Sequence, residues 1–221
     1  MVDHGGPVLA TSTTYDIWWG SGFPSDAQWA IAHELDGFTG SSYLGIAGQY
    51  MRGTAISTAY ARTPVLDPSA PPNSSPKVQT IVNEVARFYP NPAAGSVFFV
   101  FVSNKPSGAN FCGWHSPGTI NGTPVEVAYV LNWASGCDPL LATDLHANTL
   151  SAGTRAYADT TAHEFMESVT DPRISAWYDK NGQEIGDKCN FVYSAPVLLS
   201  NGTSWQIQEE WSNAIGGCQQ Q

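Results

Sequence analysis

The stretch Asp159–Pro172 constrains this chain most, because it sets one histidine and two glutamates at helical spacing before a proline. An α-helix turns by about 100° per residue, so Glu167 would lie only about 40° around the axis from His163. Glu164, about 100° from His163, could then reach a group held by the other two side chains. The opposite side would carry an apolar stripe facing the core, made of Ala158, Ala162, Phe165 and Val169.

A helix with this polar side is typical of zinc hydrolases, which display two ligands and a general base in this way. The usual motif has a histidine where this chain has Glu167, but a carboxylate is also an acceptable zinc ligand. We therefore predict His163 and Glu167 as metal ligands and Glu164 as the general base. The alternative is a helix whose polar side faces solvent or caps a neighbour, since the bare motif is common.

A catalytic zinc ion needs a third protein ligand, and three acidic residues downstream are within reach. Asp187 follows Glu167 by twenty residues, a separation that resembles the one in thermolysin-like zincins, and we prefer it slightly over Glu184. If their segment is a strand, these two carboxylates point to opposite faces, so one would bind the metal and the other could orient His163. Asp171, at the helix end, is better suited to a capping role.

One histidine with two carboxylates is a harder ligand set than the usual zinc site. Zinc remains the first choice for a single ion, with manganese or calcium as alternatives. Glu164 would take a proton from the attacking water and pass it to the leaving group. His115 could supply a second nitrogen ligand or stabilise an oxyanion, unless it is a loop histidine bonded near a disulfide. We assign structural roles to His4 and His146.

Composition restricts the partners of the chain. The net charge of −10 at pH 7 argues against nucleic acid, whose phosphates would be repelled. No apolar run approaches the length of a membrane span, and we expect no signal peptide after Met1. The four cysteines show no C-x-x-C spacing and permit three pairings. The simplest pairing is Cys112–Cys137 with Cys189–Cys218, and two disulfides indicate a secreted protein, which we expect to be a monomer.

Strand and helix signals are mixed along the chain, which predicts an α+β fold in a single domain over 1–221. Apolar or β-branched runs predict strands over 8–19, 96–102 and 125–133, and a Pro-rich surface loop over 63–76. Helices are predicted over 25–37, over 77–89, from 157 onward and over 209–215. A capping box of Ser25 and Gln28 would open the first of them. We predict a loop over 113–122, and hairpin turns at Asn181–Gly182 and Asn201–Gly202.

Several of these segments occur in an order that resembles the EXORDIUM or phosphate-induced protein family of plants and its bacterial and fungal relatives. They are Cys112–His115, His163–Glu167, Thr170–Pro172, Ala176–Tyr178 and Glu184–Cys189. The resemblance spans nearly the whole chain and implies secretion and a zincin-like mixed sheet with an active-site helix and disulfide-tied C-terminal hairpins. Plant members are longer, carry extra cysteines and are associated with cell-wall growth signalling.

Two functions follow as hypotheses. The first is a secreted metallopeptidase acting on a peptide or cell-wall polymer, with Trp177 and Tyr178 either lining its cleft or packing in the core. The second is a non-catalytic extracellular protein that binds cell-wall carbohydrate, or signals, on a zincin-like frame with a structural metal. Eight tryptophans would suit carbohydrate contact by stacking in that case.

Overall fold

One mixed β-sheet organises the computed structural model of the chain, which describes residues 1–141 and 149–220. His146 lies outside the described residues. The strands are β1 (Val2–Asp3), β2 (Thr11–Trp19), β3 (Ser57–Tyr60), β4 (Val65–Asp67), β5 (Ser96–Val102), β6 (Gly113–Ile120), β7 (Thr123–Val130), β8 (Trp177–Tyr178), β9 (Val197–Leu198), β10 (Ser204–Trp205), β11 (Glu210–Ser212) and β12 (Gly217–Gln219). The α-helices are α1 (Ala27–Phe38), α2 (Ser42–Gly48), α3 (Val78–Phe88), α4 (Ala134–Cys137) and α5 (Ala152–Thr170).

The main sheet has the order β3-β2-β5-β7-β6, with β4 also paired to β2. All its pairings are parallel except that of β6 with β7, which is antiparallel and closes one edge. Parallel strands are usually covered on both faces and so read as continuous apolar runs. The central strand β5 fits this rule, because all seven of its residues are buried. The mixed α+β fold predicted from the sequence is therefore confirmed.

Alternate residues of β5 enter two separate cores. Val97, Phe99 and Phe101 pack with residues of α1, α2 and α5. Phe98, Val100 and Val102 pack with α3 on the other face. The apolar stripe predicted for α5 lies in the first core. The polar side of the helix, which carries His163 and Glu167, therefore points away from that core.

Helix α5 is enclosed by the rest of the fold, and none of its nineteen residues is exposed. It begins earlier than predicted, at a cap in which the Ser151 hydroxyl accepts a hydrogen bond from the Thr154 amide at 3.3 Å. Asp26 reinforces this start, since its carboxylate accepts from the Ser151 amide at 2.7 Å and the Thr154 hydroxyl at 2.6 Å. The predicted Ser25/Gln28 capping box is wrong: Asp26 holds the N-cap position of α1 without a side-chain cap bond.

Two other local predictions are wrong, and a third is confirmed only in part. The predicted loop over 113–122 contains β6, because an edge strand tolerates glycine and Pro117. The predicted helix over 209–215 is instead a hairpin of β11 and β12. The Asn181–Gly182 turn forms, with the Gly182 amide donating to the Asp179 carbonyl at 3.0 Å and the Asp179 amide donating to the Gln183 carbonyl at 2.9 Å, but no strand pairing extends beyond these bonds. Tyr178 pairs with Val2 instead.

Other predictions are confirmed. The Asn201–Gly202 turn joins β9 to β10, and both predicted disulfides, Cys112–Cys137 and Cys189–Cys218, are present. Within the predicted 63–76 loop, β4 adds a short parallel strand to the sheet. Among the described residues, no helix is long and apolar enough to cross a membrane.

Candidate metal centre

Helix α5 presents the predicted pair on one side, one turn apart. His163 Nε2 lies 3.3 Å from Glu167 Oε2, which is the close approach expected for residues at i and i+4. Glu167 is 4% exposed and Glu164 is 3% exposed, so both carboxyl groups are removed from bulk water. The helical geometry deduced from the spacing is therefore present in the folded chain.

Asp187 completes a first group of potential ligands. Its Oδ1 lies 4.0 Å from His163 Nε2, and its backbone amide donates to Glu167 Oε1 at 3.0 Å. His163, Glu167 and Asp187 can each direct one ligand atom to a common point, so this group could hold a metal ion. The Asp187 side chain is 42% exposed and that of His163 14%, so the group opens toward solvent on the Asp187 side.

His115 lies at the centre of a second group. Its Nδ1 is 3.5 Å from both Glu164 Oε2 and Glu167 Oε2, and its Nε2 is 3.6 Å from Glu184 Oε1. His115, Glu167 and Glu184 are all buried and could also direct one ligand atom each to a common point. The sequence singled out all these residues but did not predict that Glu184 faces His115 rather than His163.

The segment that carries Glu184 and Asp187 is a tight turn leading into a 3₁₀ helix over Asp187–Cys189, not a strand. The Glu184 amide donates to Asp187 Oδ2 at 3.3 Å, and the Cys189 amide donates to the Gly186 carbonyl at 2.9 Å. Because the chain curls, the two carboxylates need not alternate between opposite faces. Both therefore approach Glu167, each beside a different histidine.

Gly186 permits the close packing of this turn against α5. A Cβ atom at this position would lie 2.8 Å from His163 Nδ1 and 3.0 Å from Glu167 Oε1. Its backbone has φ −72° and ψ −46°, which any residue adopts. Glycine is therefore required here for space and not for its backbone conformation.

Asp171 acts as a cap at the end of α5, in agreement with its expected role. Its Oδ1 accepts from the amides of Ser175 and Ala176 at 2.6 and 2.7 Å. Asp171 belongs to neither group of potential ligands within the described residues. It fixes the chain reversal that leads toward Glu184.

The electrostatics of the centre reflect an excess of carboxyl groups around two imidazoles. Burial, reinforced by the charge of Glu167, raises the pKa of Glu184 to about 9. Burial also raises the pKa of Glu164, although His115 opposes this shift. Burial would raise the pKa of Glu167 too, but the neighbouring His163 and His115 hold it well below its usual range. Only some of these carboxyl groups can be ionised together unless a cation is added.

A cavity of about 450 Å³ opens beside the first group. His163, Glu164 and Asp187 line it together with three aromatic residues, Phe111, Trp133 and Phe191. The predicted cleft residues lie elsewhere: Trp177 packs against Tyr50, and Tyr178 stacks on His4. These two aromatics are thus part of the packing around β1 and β8.

Sequence reasoning missed Asp159, which also lines the cavity. Its Oδ2 accepts from the Tyr193 hydroxyl at 2.6 Å, and its Oδ1 accepts from the Gln208 amide at 2.7 Å. Asp159 precedes His163 by four residues, so the same helical spacing that related His163 to Glu167 was the available signal. Its bonds tie α5 to the C-terminal segment beneath the cavity.

No protein-family description matches the chain, and no curated protein or solved structure matches it. The EXORDIUM-like resemblance and the zincin-like identity of the fold therefore stay predictions.

Proposed function

We propose that this chain is a secreted metal-dependent hydrolase, with a peptide as the first candidate substrate. His163, Glu167 and Asp187 would hold one divalent ion, zinc in the first place and manganese or calcium otherwise. The observation that carries the proposal is the joint position of Glu164 and of two members of this group, His163 and Asp187, on the wall of one cavity. Two disulfides fit an extracellular protein.

The donor set fits such an ion, because one imidazole and two carboxylates are ligands that zinc and manganese both accept. When bound, the ion would activate a water molecule and polarise a carbonyl group. The amide of Asp187 holds Glu167 in place through its bond to Oε1, and such support orients ligands in metal sites.

Glu164 is the general base of the proposed reaction. It lines the cavity, so its carboxylate could take a proton from the attacking water and return it to the leaving group. His115, 3.5 Å from Glu164 Oε2, can orient that carboxylate. His115 itself is 7% exposed and points at carboxylates, so it would not contact an oxyanion in the cavity.

The three aromatic residues at the cavity would contact the substrate. Phe191 is 51% exposed and adopts a positive φ of 60°, a strained conformation that is often kept at functional sites. Exposed aromatic rings suit apolar side chains of a peptide, and they also suit sugar rings. This second property favours the alternative function, a non-catalytic protein that binds a cell-wall polymer.

The experiment is Glu164→Gln, assayed on a peptide library with and without chelator. We expect bound metal to be unchanged and turnover to fall by about 100-fold or more, because the base is lost while the ligands stay. Glu209→Gln, a half-buried glutamate that lines a different pocket and belongs to neither group of potential ligands, is the matched control and should keep full activity.

Unchanged hydrolysis by Glu164→Gln would refute the mechanism. Stoichiometric metal with no cleavage by the unsubstituted protein, combined with binding to cell-wall polysaccharide, would favour the alternative function.

A further inference from the structure

We infer that the centre binds two cations, the second one held by His115, Glu167 and Glu184, with Glu167 bridging the pair. The proposed hydrolase needs only the ion at His163, so this second ion goes beyond that function and does not depend on it. The ligand in question is a divalent metal ion that accepts nitrogen and carboxylate donors, such as zinc or manganese.

Two distinct groups of ligand atoms share one residue. Within each group the atoms lie within 4.8 Å of one another, and Glu167 belongs to both. No group in the described residues combines His115 with His163, so His115 does not serve as an additional ligand to the first ion. The geometry therefore points to two neighbouring positions and not to one larger site.

The second position contains two buried polar atoms without partners. His115 Nε2 and Glu184 Oε1 make no hydrogen bond, although the two residues are only 7% and 8% exposed. They face each other at 3.6 Å, which is longer than a normal hydrogen bond. Leaving such buried groups unpaired is unfavourable, because neither water nor protein replaces the lost hydrogen bond. A cation between them would satisfy both atoms.

The distances suit metal ligation. Zinc ligands at about 2.0–2.2 Å from a tetrahedral ion lie roughly 3.3–3.6 Å from each other. The 3.6 Å between His115 Nε2 and Glu184 Oε1 is at the upper end of that range. Ions in two-metal sites are about 3.5–4 Å apart, a spacing that one carboxylate such as Glu167 can bridge.

The balance of charge also favours two ions. The carboxyl groups of Glu164, Glu167, Glu184 and Asp187 surround two histidines that serve as neutral ligands when metal is bound. Two divalent cations match the charge of these four groups when all are ionised, whereas the ion at His163 has only Glu167 and Asp187 among its ligands. The second ion lies behind the first, since neither His115 nor Glu184 is among the residues that line the cavity.

The first test is metal stoichiometry. The full-length protein is stripped with chelator, reloaded with Zn²⁺ or Mn²⁺, desalted and analysed by inductively coupled plasma mass spectrometry. We expect two ions per chain for the unsubstituted protein and one for Glu184→Gln. His115→Gln is a second variant with the same expectation, and Glu209→Gln, the matched control, should retain two.

The second test is the electron paramagnetic resonance spectrum of the Mn²⁺-loaded protein. Two ions bridged by Glu167 should give an exchange-coupled multiline signal, and Glu184→Gln should convert it to the six-line signal of an isolated ion. Circular dichroism of the metal-free variants establishes that they are folded.

One ion per chain in the unsubstituted protein, unchanged in folded Glu184→Gln and His115→Gln, would overturn the inference. A proton on His115 would then account for its contacts with the carboxylates. Two ions without hydrolysis would support this inference while refuting the proposed function. One ion per chain with chelator-sensitive hydrolysis would support the proposed function while refuting this inference.

Discussion

At the residue scale, the centre depends on contacts that leave little space for change. Gly186 is the clearest case, because His163 and Glu167 occupy the volume that a side chain would need. Glu184 and Asp187 are the acidic residues of the segment Glu184–Cys189. Gly186, which lies between them, determines how closely this segment packs against α5.

Gly186→Ala should weaken zinc binding by about tenfold or more, because the new methyl group displaces His163 or Glu167 and disturbed supporting contacts have effects of that size. Competition with a chromogenic chelator measures the affinity. Gly45→Ala is the matched control, since a Cβ atom there meets nothing within 4 Å and alanine favours the helix. Equal zinc affinity for both variants would contradict the steric argument.

A second residue-scale prediction concerns Glu84, away from the centre. Burial and a hydrogen bond with Asp67 raise the pKa of Glu84 to about 7 from its ordinary 4.5, although Arg87 lies 2.6 Å from it. Burial would raise the pKa of Asp67 as well, but bonds from the Ser69 amide, Glu84 and Arg87 hold it well below its usual range. The proton of this pair therefore resides on Glu84.

The folded chain retains that proton up to about pH 7, whereas the unfolded chain releases it near its ordinary value. The stabilisation is full below about pH 4.5 and is lost as the pH rises through about 7. Across this window we expect the free energy of unfolding to fall by about 1–3 kcal/mol more in the unsubstituted protein than in Glu84→Gln. Urea titrations at steps of half a pH unit measure this free energy. Parallel pH profiles for the two proteins would refute the assignment of the proton to Glu84.

At the element scale, α5 is held by its start as well as by its apolar stripe. Asp26, at the start of α1, accepts hydrogen bonds from Ser151 and Thr154, so the two helices are tied where both begin. The periodic signal of the stretch Asp159–Pro172 predicted the helix correctly. This cap could not be predicted, because its partner is 125 residues away in sequence.

Asp26→Ala should lower the free energy of unfolding by about 1–2 kcal/mol, as for the loss of a good helix cap. Asp36→Ala on the same helix should cost less than about 1 kcal/mol, because it breaks only the exposed pair with Arg62. Guanidinium denaturation of both variants compares them. A smaller loss for Asp26→Ala than for Asp36→Ala would show that the cap contributes little.

The prediction of elements failed where tertiary contacts outweigh local preference. Strand β6 contains glycine and proline and was predicted as a loop, yet it pairs along its full length with β7. The position of His115 beside α5 follows from that pairing, which explains why its contacts with Glu164, Glu167 and Glu184 were not foreseen. The ligands on α5 were foreseen because helical spacing alone relates them.

At the scale of the whole molecule, each disulfide closes a loop of similar size but anchors a different part of the centre. Cys112–Cys137 joins residues 25 apart, next to the start of β6. Cys189–Cys218 joins residues 29 apart and connects the turn that carries Asp187 to β12. Simple spacing predicted both pairings, whereas the distribution of the two bonds around one centre is a property of the folded chain.

Replacing either cysteine pair with alanines should cost about 3–4 kcal/mol, since loops of 25 and 29 residues lose similar closure entropy. Only loss of Cys189–Cys218 should also weaken the ion at His163, because Asp187 lies two residues from Cys189. Each double variant is thus the control for the other. Thermal unfolding without metal and zinc titration separate the two effects, and equal affinities would refute the anchoring role.

The enclosure of α5 has a practical consequence for spectroscopy. A fluorophore or spin label attached between Ala156 and Thr170 would displace buried side chains, because every residue of this stretch except His163 is buried. Reporters belong instead at solvent-facing sites such as the Asn201–Gly202 turn or Trp29, which is 58% exposed. Distances measured from there to a paramagnetic ion would locate the centre without altering it.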